Sequence, residues 1–323
     1  MADRHPDVYF RPSYGRAECL ERSEYQLSVV RHDGAFQVPL VVRTFDDDTK
    51  DATSPYGYAG VYADPHLGER ETAAAWDSLL DELRGHGIVT VFLRHSPLVP
   101  QAEMNFPHSR VVKDHPTVAV DVRDPVAAWG QMEGRCRTAI RKAMKAGATA
   151  EIRPATIADL SNGSEFRTLY EATMSRASAA TFYSFPDRYY TQLLEALGSG
   201  LLIAHGRDAA GRILSSALFM YHQPFFHYHL SGSDPEANRL GLNNLVIWQA
   251  VMHAAELGAQ TFHLGGGVVR DDSLHRFKAS FSPHRLSYNA TGVVVDEREY
   301  QRLLDVRSVN LADASFFPAY RTS

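Results

Sequence analysis

The segment from Phe226 to Phe281 constrains the fold of this 323-residue chain more than any other part of the sequence. It begins with an apolar stretch that carries His227 and His229 and then breaks at polar residues and glycine. Apolar residues recur near a 3.6-residue period over 244–257, which indicates a helix, and residues 261–264 have the composition of a strand. Strand, helix and strand form a crossover unit that brings a helix N-terminus beside strand ends, an arrangement that suits an anionic or acyl-bearing substrate.

The ends of this crossover carry specific local signals. Asn243 is predicted as the N-cap of the helix, and Gly258 as the first residue past its C-terminus. Three consecutive glycines, 265–267, end the second strand. The basic Lys278 follows in a segment that is otherwise apolar and is bounded by Phe277 and Phe281. Glycine lets backbone and substrate approach closely because it has no side chain, although a plain turn accounts for the run equally well.

Composition restricts the class of protein. Two domains of about 150 residues are expected for this length. The net charge of −5 argues against indiscriminate binding to nucleic acid, so we expect no DNA partner, while a local basic site remains compatible with it. Two cysteines are too few for a disulfide framework, and no apolar run approaches the roughly 20 residues of a membrane span. We therefore expect a cytoplasmic protein. His227 and His229 have no third ligand at a supporting spacing, so they are predicted as core or cleft-lining residues, and no metal is expected.

The order of predicted elements is similar in the two halves of the chain. The first half has a hairpin over 26–45, a helix over 69–84 and strands over 88–93 and 117–122. The second half has helices over 164–180 and 187–197, strands over 200–206 and 213–221, the crossover, a strand over 292–295 and a helix over 296–306. This order predicts two copies of one α/β unit. We place the first domain at 1–150 plus the returning segment 290–323, and the second at 151–289.

A basic helix is predicted within residues 131–153. Arg137, Arg141 and Lys145 are spaced four residues apart and therefore share one helix face, with Lys142 beside them. Such a stripe on an acidic protein indicates a surface that contacts phosphates, either of tRNA or of a nucleotide-linked acceptor. The alternative is a solvated helix face that pairs with acidic neighbours.

Six segments, in this order, resemble the FemAB superfamily of transferases, which add amino acids to peptides with aminoacyl-tRNA as donor. The segments are SPYGYAGVY (54–62), RCRTAIRKAMKAG (135–147), FRTLYEATMSR (166–176), YSFPDRYYTQLL (183–194), HLSGSDPEANRLGLNNLVIWQAV (229–251) and FHLGGGVVRDDSLHRFKASF (262–281). The chain is most similar to the shorter, FemX-like members. The resemblance implies an α/β (α+β) fold with two tandem GNAT-like domains, a cleft between them, and a C-terminal segment that rejoins the first domain.

The resemblance also implies roles for individual residues. Lys278 matches the family's lysine that contacts the donor ester and stabilises the tetrahedral oxyanion, and a preorganised cation there lowers the barrier to amide formation. The alternative is a surface lysine between two buried phenylalanines. Asp271 is a candidate to hold the attacking amine, and the alternative is a solvated acidic residue. The predicted substrate-binding residues are Phe277, Gly265, Gly266, Gly267, Tyr56, Tyr58, Arg176, Tyr183, Arg188 and Tyr228. The predicted tRNA-binding residues are Arg137, Arg141, Lys142 and Lys145.

One motif of GNAT acyltransferases, the turn that binds the CoA pyrophosphate, bears on the choice of donor. GNAT acyltransferases hold the CoA pyrophosphate on an Arg/Gln-x-x-Gly-x-Gly/Ala turn, whereas residues 239–244 read Arg-Leu-Gly-Leu-Asn-Asn and keep one glycine. The degraded turn weakens the prediction of an acyl-CoA donor, and the resemblance implies an aminoacyltransferase that moves an amino acid from aminoacyl-tRNA to an amine of a peptide acceptor, without a cofactor. The acceptor is a peptidoglycan precursor or a peptide antibiotic intermediate. The alternatives are an acyl-CoA-dependent N-acyltransferase and a non-catalytic module that binds tRNA or peptide.

Overall fold

A computed structural model describes residues 5–19, 25–45, 48–99, 109–178, 183–267, 272–309 and 316–321. The chain forms two compact units. Unit 1 comprises Met1–His115 and Ser287–Ser323, and unit 2 comprises Pro116–Leu286. The C-terminal segment therefore belongs to the unit that the N-terminal part of the chain begins.

Both strands and helices occur along the whole chain. The strands are β1 (Tyr25–Arg31), β2 (Phe36–Thr44), β3 (Lys50–Thr53), β4 (Tyr62–Ala63), β5 (Ile88–Arg94), β6 (Ser109–Asp121), β7 (Thr149–Pro154), β8 (Leu201–Arg207), β9 (Ile213–His222), β10 (Phe225–Ser233), β11 (Thr261–Gly265) and β12 (Arg285–Val294). The helices are α1 (Pro12–Arg16), α2 (Glu69–Gly85), α3 (Pro125–Gln131), α4 (Gly134–Lys145), α5 (Ile157–Leu160), α6 (Glu165–Arg176), α7 (Asp187–Leu197), α8 (Pro235–Leu240), α9 (Leu242–Glu256), α10 (Ser273–Ala279) and α11 (Glu297–Val306). Within the described residues, no helix is long and apolar enough to cross a membrane.

Unit 1 is built around one parallel pair of strands. β1, β2 and β3 are antiparallel neighbours, β3 runs parallel to β5, and β5 is antiparallel to β12. Parallel strands need a crossover connection, and α2 supplies it between β3 and β5. Trp76 and Leu79 of α2 are buried with Val38 and Leu93 of the strands in one hydrophobic core, so this face of the helix is held by apolar burial.

Unit 2 repeats the same relations. β7, β8, β9 and β10 are consecutive antiparallel neighbours, β10 runs parallel to β11, and β11 is antiparallel to β6. The connection between β10 and β11 contains α9, as the periodicity of the sequence predicts, and also the short helix α8, where the sequence indicates only a polar break. Each unit thus has antiparallel strands, one parallel pair with a helical crossover, and one further antiparallel strand. Two copies of one α/β unit are therefore visible in the strand order itself.

Residues 116–150 pack in unit 2, whereas the sequence predicts them in the first domain. β6 pairs with β11 from Val118 to Asp121. Ile140 and Ala143 of α4 are fully buried in the same core as Val251 of α9. These contacts join segments that lie far apart in the chain, so local composition near residue 150 does not mark where the compact units divide.

The crossover helix begins earlier than predicted. Gly241, with φ +77°, is the N-cap of α9, and Asn243 lies inside the first turn. The side chain of Asn243 accepts a hydrogen bond from Ser215 Oγ (2.6 Å) and donates one to Ser233 Oγ (3.1 Å). Asn243 is therefore not a cap, because its polar atoms bind the neighbouring strands. At the other end Gly258 has φ +78° just past the helix, as predicted.

Candidate active site

The parallel pair of unit 2 opens at its C-terminal end. Pairing between β10 and β11 ends at His227 and His263, although both strands continue beyond these residues. The pairing of β10 with β9 shifts in register just after Tyr228, and the pairing of β11 with β6 shifts between His263 and Gly265. Irregularities on both strands therefore lie at the point where the two strands separate.

Lys278 places its ammonium at this opening. The side chain comes from α10, and its Nζ donates a hydrogen bond of 2.8 Å to the carbonyl oxygen of Gly266, directly after β11. Nζ also lies 5.5 Å from the centroid of the Tyr228 ring of β10, within the range of a cation–π contact. Lys278 is only 8% exposed, so it is not the surface lysine of the alternative interpretation. The structure thus brings together three residues predicted for the site.

Burial governs the electrostatics of the site. It lowers the pKa of Lys278 from 10.5 to about 8, against the opposing effect of the Asp272 carboxylate. At pH 7 roughly ten molecules carry the ammonium for each one that carries the amine. Burial also holds the pKa of His263 well below its usual range, with smaller contributions from His227 and Lys278. The site therefore combines a desolvated cation with a neutral imidazole at neutral pH.

The three glycines have three different structural reasons. Gly265 has φ +73°, which side chains rarely adopt. A Cβ on Gly266, whose carbonyl holds Lys278, would lie 3.0 Å from the carbonyl oxygen of Pro116. A Cβ on Gly267 would overlap the carboxylate of Asp272, which caps α10 by accepting a hydrogen bond of 2.7 Å from the backbone N–H of His275. The run is therefore more than a plain turn, because each position supports the geometry around Lys278.

Of the other residues predicted around Lys278, the structure describes Phe277 but not Asp271. Asp271, the second predicted catalytic residue, lies outside the described residues. Phe277 is partly buried against the core of unit 2 and packs edge-on against Phe281, with ring centroids 5.3 Å apart. Phe277 therefore anchors α10, and its predicted contact with substrate stays a prediction.

Two residues of the predicted basic stripe bind backbone carbonyls. Arg137 donates from Nη1 to the carbonyl oxygens of Gly130 (3.1 Å) and Met132, where α3 ends. Lys142 donates from Nζ to the carbonyl oxygen of Arg239 (2.7 Å), in the last turn of α8. Both cations satisfy carbonyls that helices leave without partners at their C-termini, so they stabilise unit 2 in addition to any contact with phosphate.

The remaining part of the stripe is presented to solvent. Arg141 and Lys145 are exposed one turn apart on α4. The Arg141 guanidinium lies 5.2 Å from the centroid of the Trp129 ring, and that ring lies 4.8 Å from the ring of Trp248 on α9. A cationic and aromatic surface of this kind can contact both phosphates and bases. The sequence alone shows the charges, but not that the two tryptophan rings lie beside them.

α4 covers the loop at the start of α9. Gly241 is buried, and a Cβ on it would overlap the carbonyl oxygen of Ala139 on α4. Leu242 is fully buried, and the side-chain amide of Asn244 faces Cys136 of α4 (Nδ2 to Sγ, 3.4 Å). The N-terminal turn of α9 therefore packs against protein.

The three residues of unit 2 that are predicted to contact the acceptor have different surroundings. Arg176 donates to the carbonyl oxygen of Ser233 and to Thr173 Oγ1 (2.9 Å), so it ties α6 to β10. Tyr183 lines a cavity of about 260 Å³, and its carbonyl oxygen accepts a hydrogen bond of 2.8 Å from the hydroxyl of Tyr170. Arg188 is exposed at the start of α7.

The two predicted histidines have side-chain neighbours within unit 2. His227 is fully buried, as expected, and its ring lies 5.9 Å from that of His263. His229 Nε2 lies 2.8 Å from the Tyr189 hydroxyl, and burial lowers the pKa of His229 to about 3, with a smaller effect of His227. The described part of the chain contains no group of three or more residues arranged to hold a metal ion.

Tyr56 and Tyr58 belong to unit 1 and are held in an aromatic cluster. The Tyr58 ring lies edge-on to Tyr9 (5.9 Å) and Tyr288 (5.1 Å). The carbonyl oxygen of Tyr56 accepts a hydrogen bond of 2.6 Å from the hydroxyl of Tyr14. Both residues are half-buried, so packing fixes them, and their predicted role in substrate binding stays a prediction.

Arg94 is a functional candidate that the sequence analysis misses. It ends β5, and its Nη1 donates to Thr53 Oγ1 (2.8 Å) and to the carbonyl oxygen of Ser54 (2.7 Å) at the end of the parallel strand β3. The available signal is an arginine directly after the apolar run IVTVFL. Its meaning depends on the pairing of β3 with β5.

Comparison with known proteins identifies the fold. Residues 134–278 match a family model described as an acetyltransferase (GNAT) domain. The crystal structure of FemX is similar over 92% of this chain and 95% of that chain, with 15% identity and a TM-score of 0.69. The C-terminal domain of a putative lysylphosphatidylglycerol synthetase from Agrobacterium fabrum is similar over 94% of each chain (14% identity, TM-score 0.58). A tandem GNAT protein from the clavulanic acid biosynthesis pathway is similar over 87% of each chain (13% identity, TM-score 0.50). No curated protein matches the sequence.

These similarities confirm the fold predicted from the sequence. The chain has a GNAT-like α/β fold. More particularly, it has the FemX-like arrangement that the six sequence segments indicate. The family match over residues 134–278 supports an acyltransferase activity.

Proposed function

We propose that this protein is an aminoacyltransferase that transfers an amino acid from aminoacyl-tRNA to an amine of a peptide acceptor. The observation that carries the proposal is the buried ammonium of Lys278 at the opening of the parallel pair. A cation in that position is useful where a carbonyl oxygen gains negative charge, as in attack of an amine on an ester. The proposed acceptor is a peptidoglycan precursor or a peptide antibiotic intermediate, and the proposed location is the cytoplasm, where charged tRNA is available.

The proposed chemistry needs no activation step because the ester is already activated. The neutral amine attacks the carbonyl carbon, and the carbonyl oxygen becomes an oxyanion beside the Lys278 ammonium. The new C–N bond forms and the bond from carbon to the ribose oxygen breaks. The nitrogen loses one proton and the ribose oxygen gains one. Low exposure strengthens the attraction between ammonium and oxyanion, because little water screens it.

The covered loop before α9 favours tRNA over acyl-CoA as donor. A pyrophosphate bound at a helix N-terminus needs open backbone N–H groups. Here Gly241 packs against the Ala139 carbonyl, and Leu242 has no exposed surface. The contact with α4 therefore disfavours a diphosphate at this turn, whereas an ester held through its RNA makes no use of it.

The position of α4 also supports an RNA donor. The backbone N–H of Glu133, just before α4, donates a hydrogen bond of 2.9 Å to the carbonyl oxygen of Ser280, just after α10. The helix with Arg141 and Lys145 thus begins beside the helix that carries Lys278. A polyanion along α4 contacts exposed cations and the Trp129 ring close to the proposed reaction centre.

The second candidate is an acyl-CoA-dependent N-acyltransferase. The match of residues 134–278 to the acetyltransferase (GNAT) domain favours it. Lys278 would stabilise the oxyanion of a thioester in the same way, so the two candidates differ in the donor rather than in the chemistry.

A donor screen with a short peptide acceptor tests the proposal. We expect product with charged tRNA, loss of product after ribonuclease treatment, and none with acyl-CoA alone. Lys278→Met should lower the rate by about 10²–10³, the usual effect of removing an oxyanion-stabilising group. Lys50→Met, which changes a half-buried lysine of unit 1, should leave the rate unchanged. Ribonuclease-resistant turnover with acyl-CoA would replace the proposal with the second candidate.

A further inference from the structure

The contacts of Arg94 leave one edge of its guanidinium open. Nη1 is occupied by Thr53 Oγ1 and the Ser54 carbonyl, and the Arg94 backbone N–H donates to Ser54 Oγ (3.0 Å). The guanidinium carbon lies 5.1 Å from the centroid of the Phe92 ring. Nε and Nη2 of Arg94 have no acceptor among the described residues. These two nitrogens form the fork with which arginine binds an oxyanion through two parallel hydrogen bonds.

The charge of Arg94 is not compensated within the part of the chain that the structure describes. Arg94 is half-buried, yet no carboxylate of the described residues pairs with it. Three other shielded arginines of the described residues have acidic partners. Arg43 and Arg321 share the carboxylate of Asp51, and Arg167 contacts Asp187 at 2.8 Å. A half-buried cation that has an open edge and no acidic partner is available to an anionic ligand.

An aromatic surface lies beside this guanidinium. Arg94 pairs with Ala290 across β5 and β12, so Tyr288, two residues earlier on β12, is its diagonal neighbour on the same sheet face. The Tyr288 ring packs against Tyr58 at 5.1 Å. The loop that carries Tyr58 is held there because the carbonyl oxygen of Ala59 accepts a hydrogen bond of 3.2 Å from Ser96 N–H. A fixed guanidinium fork and two aromatic rings therefore lie at one end of the unit 1 sheet.

We propose that Arg94 binds an oxyanion of the acceptor substrate through Nε and Nη2, with Tyr58 and Tyr288 beside the bound group. This inference rests on the proposed function, since it assigns the anion to the acceptor. The ligand is the carboxylate of a peptide, or the phosphate of an acceptor linked to a nucleotide, and both offer two oxygens to the fork. The site assigns a role in acceptor binding to a residue that neither the motifs nor the comparisons indicate.

Equilibrium binding to the full chain without any donor tests the site. The probes are a short peptide with a free C-terminal carboxylate, the same peptide as its C-terminal amide, and UDP. Arg94→Gln should weaken the anionic probe by about tenfold or more and leave the amide unchanged. Arg31→Gln is the matched control, because Arg31 also belongs to unit 1 but pairs with Glu82. It should leave the binding of all three probes unchanged.

The outcomes separate the ligands and the hypotheses. A selective loss with the carboxylate peptide assigns the site to a carboxylate, and a loss with UDP assigns it to a phosphate. Unchanged affinity for both probes in folded Arg94→Gln refutes the site. If that variant does not fold, Arg94→Lys keeps the charge but lacks the fork, and it should still weaken the anionic probe several-fold. This binding experiment does not measure transfer. If Arg94 binds the anion but the donor screen shows no aminoacyl transfer, the proposed function is refuted and the anion site is not.

Discussion

Replacement of Lys278 by methionine should change how stability depends on pH. The folded-state pKa of about 8 lies below the ordinary value of 10.5, because burial disfavours the ammonium. Between these values the unfolded chain binds more protons at this lysine than the folded chain, so the free energy of unfolding rises with pH. Below pH 8 the penalty for burying the charge is complete, and above pH 10.5 it is absent.

The magnitude follows from the two pKa values. At 1.36 kcal/mol for each tenfold change in the protonation constant, the penalty is about 3 kcal/mol. Lys278→Met has no proton to lose and has an unbranched side chain that is one heavy atom shorter. It gives up the hydrogen bond to the Gly266 carbonyl, which costs about 1–3 kcal/mol. At pH 7 the variant should therefore be as stable as the wild type or more stable, although we expect it to be inactive.

The assay compares urea unfolding of the wild type and Lys278→Met from pH 7 to 10.5. The stability of the wild type should rise by about 3 kcal/mol relative to the variant across this interval, while titration of all shared groups cancels in the difference. Lys145→Met, which removes an exposed lysine of α4, should show no such trend. A difference between wild type and Lys278→Met that stays constant with pH would refute the buried ammonium.

Three further perturbations test other parts of the structure. Gly267→Ala should displace the Asp272 carboxylate from the start of α10, with a loss of about 1 kcal/mol in urea unfolding and at least about tenfold in transfer rate. Gly241→Ala should destabilise the protein by about 2–4 kcal/mol, because the residue has φ +77° and the new methyl group meets the Ala139 carbonyl. Arg141→Ala should weaken RNA binding at low salt and reduce the slope of log affinity against log salt by about 1, without loss of stability.

Each of these changes has a matched control in the same chain. A Cβ on Gly85, near the end of α2, meets no neighbouring atom, so Gly85→Ala should be neutral or slightly stabilising. Arg123 is an exposed arginine of unit 2 that pairs with Asp121, and its replacement by alanine should leave the salt dependence of RNA binding unchanged. Equal effects of Arg123→Ala and Arg141→Ala would mean that α4 is not the RNA-binding surface. Equal effects of the alanine changes at 85 and 241 would contradict the close contact of α4 with the loop.

Local patterns predicted the crossover because its signals lie within a few residues. The apolar period of α9 and Gly258 depend only on neighbours along the chain, and both are confirmed. The N-cap was wrongly placed at Asn243, because contact with Ala139 of α4 and a left-handed backbone select Gly241 instead. Packing against a segment distant in the sequence therefore determines where the helix starts, whereas its end was predicted from the local sequence.

The site was predictable in part for the same reason. The resemblance placed Lys278, but its low exposure results from Gly266 and Tyr228, which come from two other elements of unit 2. Arg94 carries no local pattern that distinguishes it from other arginines. Its importance depends on the parallel pairing of β3 with β5, which brings Ser54 to its guanidinium.

The close contact between α4 and Gly241 lies apart from the groups that surround Lys278. In the proposed function, the choice of donor and the formation of the bond therefore depend on different parts of unit 2. Under the proposed function, the groups around Lys278 suit any acyl carbonyl, whereas the helix over the α9 turn selects the carrier that presents one. Evolution can therefore exchange carriers within this architecture by repositioning one amphipathic segment, while the reacting centre stays intact. An engineer who wants coenzyme-A thioesters accepted should begin by shortening or tilting α4 rather than by redesigning the lysine pocket.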